Sequence, residues 1–250
     1  MTNPSFSHLS DSEIRETLML KERLSLINTQ KECQDSFLGF IDYMWPEFIC
    51  GRHHKIFAQK LEEVASGKCK RLIVNMPPRH TKSEFCSTYF PAWIMGKQPN
   101  RKIMQTTHTG ELAVRFGRKV RNMMDTEEYK KIFSKVELQA DSKSAGRWET
   151  NKGGEYFAAG VGGAITGRGA DLLIIDDPHS EQDALSPTAM EACWEWYTSG
   201  PRQRLQPGGA IILVMTRWSS LDLTEKLLEA QKEELADQWD IVEFPAIFEE

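Results

Sequence analysis

A lysine and a serine, Lys82 and Ser83, stand side by side after a polar turn that follows a short apolar run. The stretch 71–83 is RLIVNMPPRHTKS, and residues 84–95 after it are rich in apolar and aromatic side chains. A strand, a tight turn, Lys-Ser and a helix form the layout of a phosphate-binding loop. In such a loop backbone N–H groups and the helix N-terminus face the anion, the lysine reaches the terminal phosphates, and the serine hydroxyl binds Mg2+.

The loop departs from the usual pattern G-x-x-x-x-G-K-[ST], because Met76 and Thr81 stand at the two glycine positions. Taken alone, the stretch also fits a strand followed by a proline-kinked turn with a solvated lysine. If it binds ATP, the residues that contact the nucleotide here are Pro78, Arg79, His80, Thr81, Lys82 and Ser83.

Two adjacent carboxylates, Asp176 and Asp177, end a second apolar run in the segment DLLIIDDPH over 171–179. Parallel α/β sheets bind ligands at the carboxyl ends of their strands. Phosphate-loop hydrolases use one Asp there to hold Mg2+ and a second group to orient the attacking water, and Asp176 and Asp177 fit these two roles. A strand end with an Asp-Pro turn would explain the pair alone. Both elements, in this order, favour a nucleotide hydrolase that uses ATP and Mg2+.

The segment upstream of the loop carries an aromatic cluster and then Gly51-Arg52-His53-His54. One stacking ring and one polar side chain suffice to hold an adenine base, so Arg52, His53 and His54 are candidates for that role. A helix cap and a satisfied histidine explain the same residues.

Arginines in two places have candidate roles. Arg168 stands between two glycines just before the acidic strand. We predict it on an exposed turn near the nucleotide, where it could serve a neighbouring subunit as an arginine finger. The helix predicted over 110–124 carries Arg115, Arg118 and Arg121 on one face, which could contact DNA phosphates or a neighbouring subunit. A solvated helix face explains that pattern equally well.

The elements that must position these residues follow from apolar periodicity and from glycine and proline breaks. Helices are predicted over 10–28, with Ser10 and Glu13 as a capping box, from after His54 through Val64, and over 84–95 and 110–124. Two more are predicted over 186–205, with a break near Pro207-Gly208-Gly209, and over 221–235, capped by Ser219 or Ser220. Strands are predicted over 72–74, 101–107, 171–176, 210–218 and 239–244, with a hairpin over 147–165 that turns near Gly153-Gly154 and a polar surface excursion over 130–144. The apolar stripe of the first helix is expected to pack on the core or on a neighbouring subunit, of which the core is favoured. Thr216, at the exit of the strand 210–218, is a candidate to sense the γ-phosphate and to couple hydrolysis to movement, with Arg217 as a second coupling residue.

Composition narrows the class of protein. The chain has 250 residues, 40% of them hydrophobic and 27% charged, which is ordinary for a globular protein. No apolar run approaches the ~20 residues of a membrane span, and the polar N-terminus shows no secretory signal. Five scattered cysteines favour reduced, intracellular thiols and argue against a zinc site. With a net charge of -5, any contact with nucleic acid must come from local basic patches.

The ordered set PPRHTKS, TGRGADLLIIDDP and ILVMTRWSSLDL resembles the large terminase subunit of tailed bacteriophages, the ATPase that pumps DNA into procapsids. The resemblance covers 37–250 and implies an α/β fold of the RecA-like P-loop class, with a mostly parallel central sheet flanked by helices and an N-terminal helical arm over 1–36. It implies that Lys82 and Ser83 bind phosphate and Mg2+, that Asp176 is the Walker B carboxylate and that Thr216 belongs to the coupling motif.

The resemblance leaves two roles open. Asp177 stands where most members of the family have a glutamate, so Glu181 is a second candidate for the residue that orients the attacking water. Arg79 and Arg168 both match places where the family carries arginine fingers.

The same resemblance implies the partners: double-stranded DNA, a portal protein, a small terminase subunit, and further copies of the chain in a ring on the procapsid. It implies a phage-encoded protein in the host cytoplasm, monomeric when isolated and not associated with a membrane. Full-length members carry an RNase H-like nuclease domain after the ATPase. This chain ends where that domain would begin, so we expect no nuclease activity.

Two other classes of function fit parts of the pattern. A superfamily-2 helicase or other DNA translocase shares the core, but it requires a second RecA-like domain with an arginine in cis. A non-catalytic nucleotide-binding scaffold is suggested by the loop without glycines. A phosphotransferase is a third and weaker alternative, since the sequence shows no pocket for a phosphate acceptor. Turnover of Mg2+-ATP separates the scaffold from the enzymes.

Overall fold

Eight strands form one mixed sheet in the computed structural model, which describes residues 10–165 and 167–245. The strands are β1 (Arg71–Asn75), β2 (Lys102–Thr107), β3 (Leu138–Lys143), β4 (Arg147–Thr150), β5 (Glu155–Gly160), β6 (Ala170–Asp176), β7 (Leu205–Met215) and β8 (Asp240–Glu243). Their order across the sheet is β3-β4-β5-β2-β6-β7-β1-β8. The strands from β5 to β8 in this order are parallel, whereas β4 is antiparallel to β5 and β3 to β4.

Helices cover both faces of the sheet. They are α1 (Asp11–Asp35), α2 (Phe37–Met44), α3 (Arg52–Ala65), α4 (Phe90–Lys97), α5 (Gly110–Met124), α6 (Glu127–Ile132), α7 (Pro187–Ser199) and α8 (Leu223–Ala230). A π-helical turn, Glu84–Tyr89, runs directly into α4, and short 3-10 turns stand at Asp183–Leu185 and Pro201–Arg204. Residues of α2 to α5 pack on one face of the central strands, and residues of α7 and α8 pack on the other.

Burial on both faces explains why the central strands are apolar without alternation. Leu72, Ile73 and Val74 of β1 are all fully buried, with Ile73 facing the opposite layer from its two neighbours. The register pairs Asn75 with Met215 and Asp176 with Val214, so β1, β6 and β7 end at the same edge of the sheet. That edge therefore brings together the residues that follow these three strands.

The predicted fold class is confirmed, as are the strands β1, β2, β6 and β8 and the hairpin. Gly153 makes the hairpin turn with φ 79°, a left-handed conformation that glycine adopts without a steric penalty.

Several predicted bounds and one predicted cap are wrong. The polar segment 130–144 contains the end of α6 and the edge strand β3. The break expected at 207–209 lies inside β7, whose pairing with β6 shifts register between Ala170 and Leu172. The helix α7 ends at Ser199, and α8 is capped by Asp222 in place of the predicted serines.

The helix α1 begins as predicted but does not pack as predicted. Ser10 and Glu13 form the capping box, and residues 1–9 of the predicted arm lie outside the described residues. The apolar stripe of Leu18, Leu20, Leu24 and Ile27 is about half exposed, so the expectation that it packs on the core of this chain is wrong, and packing on a neighbouring subunit stays a prediction. The C-terminal end of α1 is anchored instead, where Trp93 Nε1 donates to the carbonyl oxygen of Cys33 at 2.8 Å. Among the described helices none is both long and apolar enough to cross a membrane.

Candidate functional site

The loop between β1 and the π-helical turn has an unusual backbone. Arg79 and Thr81 both have φ 64°, in the left-handed region that disfavours residues with a Cβ, and most of all a β-branched one such as threonine. This conformation costs roughly 1–2 kcal/mol for an L-residue. The Thr81 hydroxyl lies 2.7 Å from Nε2 of the buried His54 at the start of α3. The second glycine position of the loop motif therefore keeps a left-handed backbone even though threonine occupies it.

The lysine of the loop points at the acidic strand end. Lys82 is buried, and its Nζ lies 2.6 Å from Asp177 Oδ2. The other oxygen of Asp177 accepts a hydrogen bond from the backbone N–H of Thr216 at 2.9 Å. Asp177 itself has φ 43°, a further left-handed residue immediately after β6. The predicted lysine and carboxylate are thus in direct contact.

Asp176 is buried beside this ion pair and accepts two hydroxyl hydrogen bonds. Ser83 Oγ donates to Asp176 Oδ1 at 3.0 Å, and Ser87 Oγ donates to Asp176 Oδ2 at 2.7 Å. Gln105 Nε2 donates in turn to Ser87 Oγ at 3.0 Å. Burial, and then the neighbouring charge of Asp177, raise the pKa of Asp176 to about 7.

Ser87 and Gln105 were missed by the sequence analysis. Ser87 lies four residues after Ser83, which is one helical turn, so helical periodicity places both hydroxyls on one side. Gln105 is a fully buried polar residue within β2, next to β6. A glutamine in the interior of a strand that is predicted to be buried is a signal that could have identified it.

The oxygen atoms at Ser83 and Asp176 fit a bound Mg2+. A hydroxyl and a carboxylate oxygen 3.0 Å apart are hard oxygen donors, the type that Mg2+ prefers, and Mg2+ usually takes one or two protein ligands beside phosphates and water. Within 10–165 and 167–245, no group of three or more His, Cys, Asp or Glu side chains could hold a metal ion without such further ligands.

A cleft of about 640 Å³ opens beside the loop and is lined by residues from the ends of β1, β7 and β8: Asn75, Met76, Pro77, Pro78, Thr216, Arg217, Glu243, Phe244 and Pro245. Its volume lies in the range of small-molecule sites. The His53 ring lies 6.2 Å from the Phe244 ring and 6.0 Å from the His80 ring. The structure therefore brings His53, predicted to contact the base, next to the loop and the cleft, with Arg52 exposed in the same helical turn.

Thr216 and Arg217 follow β7 and face different surroundings. The Thr216 hydroxyl donates to the carbonyl oxygen of Met76 at 3.3 Å, so this residue contacts both the loop and Asp177. Arg217 is ion-paired with Asp222 at 3.0 Å and with Glu225 at 2.6 Å, at the start of α8. Its guanidinium therefore fixes α8 to the end of β7.

Arg168 does not lie where the sequence analysis predicted. It precedes the first residue of β6, at the opposite edge of the sheet from Asp177. Its Nη1 is paired with Glu155 Oε1 at 2.6 Å, and its guanidinium lies 4.3 Å from the centre of the Phe157 ring. The expectation of an exposed turn near the nucleotide is wrong in both respects, while a role towards a neighbouring subunit stays a prediction.

Most of the remaining candidate residues are exposed, whereas Arg121 is half-buried. Arg79 and Glu181 have exposed side chains, and neither is hydrogen-bonded or ion-paired to another residue in the described part of the chain. Arg115 and Arg118 are exposed on α5, as a surface for DNA or for another subunit requires.

No protein-family model and no curated protein matches the sequence. Among solved structures, the chain is similar to the HK97 bacteriophage large terminase, with a TM-score of 0.53 and 16% sequence identity, over 80% of this chain and 41% of that one. Another similar structure is the large terminase from a thermophilic bacteriophage in complex with ADP, with a TM-score of 0.45 and 13% identity, over 74% of this chain and 45% of that one. The chain thus spans less than half of the HK97 protein. The predicted resemblance to a large terminase is confirmed as a likeness in fold.

Proposed function

We propose that this chain is the ATPase part of a large terminase from a tailed bacteriophage, and that it hydrolyses Mg2+-ATP to move double-stranded DNA into a procapsid. The observation that carries the proposal is the contact of Lys82 Nζ with Asp177 Oδ2 at 2.6 Å, beside the Ser83 to Asp176 hydrogen bond. Lys82, Ser83, Asp176 and Asp177 thus lie together at one sheet edge, which supports the proposal that the lysine binds phosphate and that Ser83 and Asp176 bind the metal ion. The likeness in fold to the HK97 large terminase supports the same function.

Lys82 has a different partner in the two states of this scheme. In the structure it neutralises Asp177, and the β- and γ-phosphates of a bound ATP would compete for the same ammonium group. Once the lysine turns to the phosphates, Asp177 Oδ2 is free to accept a hydrogen bond from the attacking water and to orient it. A bound Mg2+ at Ser83 and Asp176 would supply charge neutralisation at the phosphate oxygens.

Thr216 is the residue through which a change at Asp177 would reach the rest of the chain. Its N–H is bonded to Asp177 Oδ1 and its hydroxyl to the carbonyl oxygen of Met76. Movement of Asp177 on phosphate binding therefore pulls directly on the end of β7. Arg217, ion-paired to α8, would carry that displacement to the helix. These contacts are the basis for proposing both residues as the coupling element.

The proposed partners are those of a packaging motor. DNA would contact exposed basic residues such as Arg115 and Arg118, and the chain would work as a ring of identical subunits with a portal protein and a small terminase subunit. Phosphate contacts from arginine are sequence-independent and weaken with salt, as suits a motor that moves any DNA.

The experiment is a turnover assay with Mg2+-ATP on the isolated chain and on Lys82→Ala. We expect the variant to lose hydrolysis by a factor of about 10³ or more, because no other cation replaces the ammonium at the phosphates. Lys152→Ala, at an exposed lysine in the hairpin turn, is the matched control and should keep turnover. Hydrolysis by Lys82→Ala at the wild-type rate would exclude the assigned site. Nucleotide binding without any hydrolysis by the wild type would favour the scaffold function.

A further inference from the structure

His54 connects the start of α3 to the strained residue of the phosphate loop. Its ring is buried, stacks on Phe85 at 5.0 Å between ring centres, and contacts the edge of Phe48 at 4.8 Å. These two rings and the His53 ring, whose centre is 3.8 Å from that of His54, fix the plane of the ring. The direction in which its two nitrogen atoms point is therefore set by packing.

The hydrogen bonds around the ring determine its tautomer. His54 Nδ1 accepts from the backbone N–H of Gly51 at 2.8 Å, so in the neutral ring the hydrogen resides on Nε2. Nε2 then donates to the Thr81 hydroxyl at 2.7 Å, and that hydroxyl donates to the carbonyl oxygen of His80 at 2.5 Å. Burial lowers the pKa of His54 to about 4, which keeps the ring neutral at physiological pH.

This series of hydrogen bonds includes Thr81, whose backbone conformation is strained. Thr81 has φ 64°, a conformation open to glycine but strained for a β-branched residue. Its side chain has one rotatable bond to its hydroxyl, so a hydroxyl fixed between His54 and the His80 carbonyl also restrains the backbone of the loop.

We propose that His54 is a positioning residue that holds Thr81, and with it the phosphate loop, in the left-handed conformation that a glycine at this position would adopt unaided. The proposal rests on the proposed nucleotide hydrolysis for its activity readout. It explains how a loop with threonine at a glycine position keeps the geometry of a phosphate site.

A double-mutant cycle tests this dependence. His54→Ala is measured in the otherwise unaltered chain and in the Thr81→Gly background, by kcat and KM for Mg2+-ATP. We expect a loss of at least tenfold in kcat/KM in the first case, mainly through KM because Lys82 and the carboxylates are untouched. In the Thr81→Gly background the same change should lose less than threefold. Equal losses in the two backgrounds would overturn the proposal. Lys55→Ala, at an exposed position of α3, is the control for changes in the helix.

Two conservative variants separate the two hydrogen bonds of the ring. Asn can place an acceptor where Nδ1 lies but does not reach Thr81, whereas Gln can place a donor near Nε2 but does not replace the Nδ1 acceptor. We expect His54→Gln to keep activity within about threefold of the wild type and His54→Asn to resemble His54→Ala. The reverse order would show that the bond to Gly51 is the important one and would overturn the proposal.

Hydrogen exchange distinguishes failure of this proposal from failure of the proposed function. The amides of the loop 79–83 are followed without nucleotide in the wild-type chain, in His54→Gln and in His54→Asn. Exchange should be at least tenfold faster in His54→Asn alone. If the wild-type chain does not hydrolyse ATP, the proposed function fails, and this measurement still decides whether His54 holds the loop. Unchanged exchange in His54→Asn would overturn the proposal.

Discussion

The residues with left-handed backbone differ between the two edges of the parallel sheet, the edge where the strands begin and the edge where they end. Near the edge where the strands begin, left-handed backbone is provided by glycines, Gly67, Gly153, Gly167 and Gly208. At the edge where β1 and β6 end, it is provided by Arg79, Thr81 and Asp177, which are the non-glycine residues with positive φ among those described. Gly162, after β5, is the glycine at this second edge. Strained residues with side chains are therefore concentrated at the candidate site, as is usual where binding requires a fixed geometry.

The ion pairs at the two edges of the sheet also differ in burial. At the edge where the strands begin, the ion pairs of Arg168 and Arg147 with Glu155 are partly exposed. At the other edge Lys82 is buried against Asp177, next to the buried Asp176. Burying like charges together is unfavourable unless cations or a ligand compensate. The buried charges at this second edge are those that the proposed function requires for a phosphate and a metal ion.

The largest expected difference between the edges concerns the two candidate arginine fingers. Arg79→Ala should lower the kcat of assembled subunits by about 10³–10⁵, the range measured for arginine fingers. Arg168→Ala should lower it far less, because Arg168 is separated from Asp177 by the length of β6, roughly 20 Å at ~3.3 Å per residue. The measurement is steady-state ATP hydrolysis on assembled motors.

A mixing experiment then decides whether Arg79 acts on its own subunit. Subunits inactivated by Asp177→Asn are added to Arg79→Ala subunits whose carboxylates are intact. Recovered hydrolysis would show that Arg79 reaches a neighbouring site, and no recovery in an assembled preparation would place it in cis. A larger loss of kcat from Arg168→Ala than from Arg79→Ala would contradict this expected difference between the edges. It would identify Arg168 as the arginine finger.

The next difference lies at the two ends of one strand. Asp177→Asn should lower kcat by about 10²–10⁴, because an amide orients water poorly and accepts no proton. It should not weaken nucleotide binding, because the charge that competes with the phosphates for Lys82 is removed. Asp171→Asn is the matched control at the start of β6, where Asp171 accepts a hydrogen bond from the Lys102 N–H at 2.9 Å, and should keep turnover. If Glu181→Gln stops hydrolysis while Asp177→Asn does not, Glu181 is the residue that orients water.

The strand ends of the site were predictable because buried parallel strands are apolar and the polar residues after them meet at one edge. Lys82, Ser83, Asp176 and Asp177 come together for this reason. The hairpin turn at Gly153 was predictable because glycine fits its positive φ.

What depends on long-range packing was not predictable. The contacts of Arg168 with Glu155 and Phe157 join it to β5, two strands away in the sheet. Its place at the opposite edge from Asp177, by contrast, was predictable, because Arg168 stands before the strand that ends at the site. The contact of His54 with Thr81 joins residues 27 positions apart. The early start of β7 reflects pairing with its neighbour, which overrides the break expected from Pro207 and Gly208.

A smaller effect concerns pH and the histidines at the site edge. Burial lowers the pKa of His54 to about 4, below its ordinary 6.5, and also lowers the pKa values of His53 and His179. At these histidines the unfolded chain binds more protons than the folded chain between pH 6.5 and 4, so their contribution to stability falls as pH falls through that window. The raised pKa of Asp176 contributes in the opposite sense, so the effect of His54 is measured as a difference between variants. His54 contributes at most about 3 kcal/mol to that loss.

Thermal unfolding from pH 7.5 to 4.5, without nucleotide, measures this contribution. We expect the Tm of the wild-type chain to fall with pH more steeply than that of His54→Gln, which has no proton to gain. His108→Gln is unsuitable as a control because the His108 ring contacts the carbonyl oxygen of Asp177, whereas Lys55→Ala should retain the wild-type slope. Parallel slopes for the wild type and His54→Gln would show that His54 does not titrate in this window.

The smallest effect compares a glycine at one edge with a threonine at the other, both left-handed. A Cβ added at Gly153 would meet no atom within 4 Å, so Gly153→Ala should destabilise by the backbone term alone, about 1 kcal/mol once the lower entropy of the unfolded chain is included. At Thr81 the change to Gly releases backbone strain of about 1–2 kcal/mol. It also adds unfolded-state entropy of about 0.5–1 kcal/mol and removes a hydrogen bond to His54 that is worth about 0.5–1.5 kcal/mol.

These contributions nearly cancel, so Thr81→Gly should change the free energy of unfolding by less than about 1 kcal/mol, while Gly153→Ala lowers it measurably. Urea denaturation of both variants without nucleotide is the measurement. A stabilisation above about 2 kcal/mol in Thr81→Gly would mean that the contact with His54 does not offset the strain. In that case the strain at Thr81 would lower the stability of the chain without compensation. It would be retained because nucleotide binding requires the loop in this conformation.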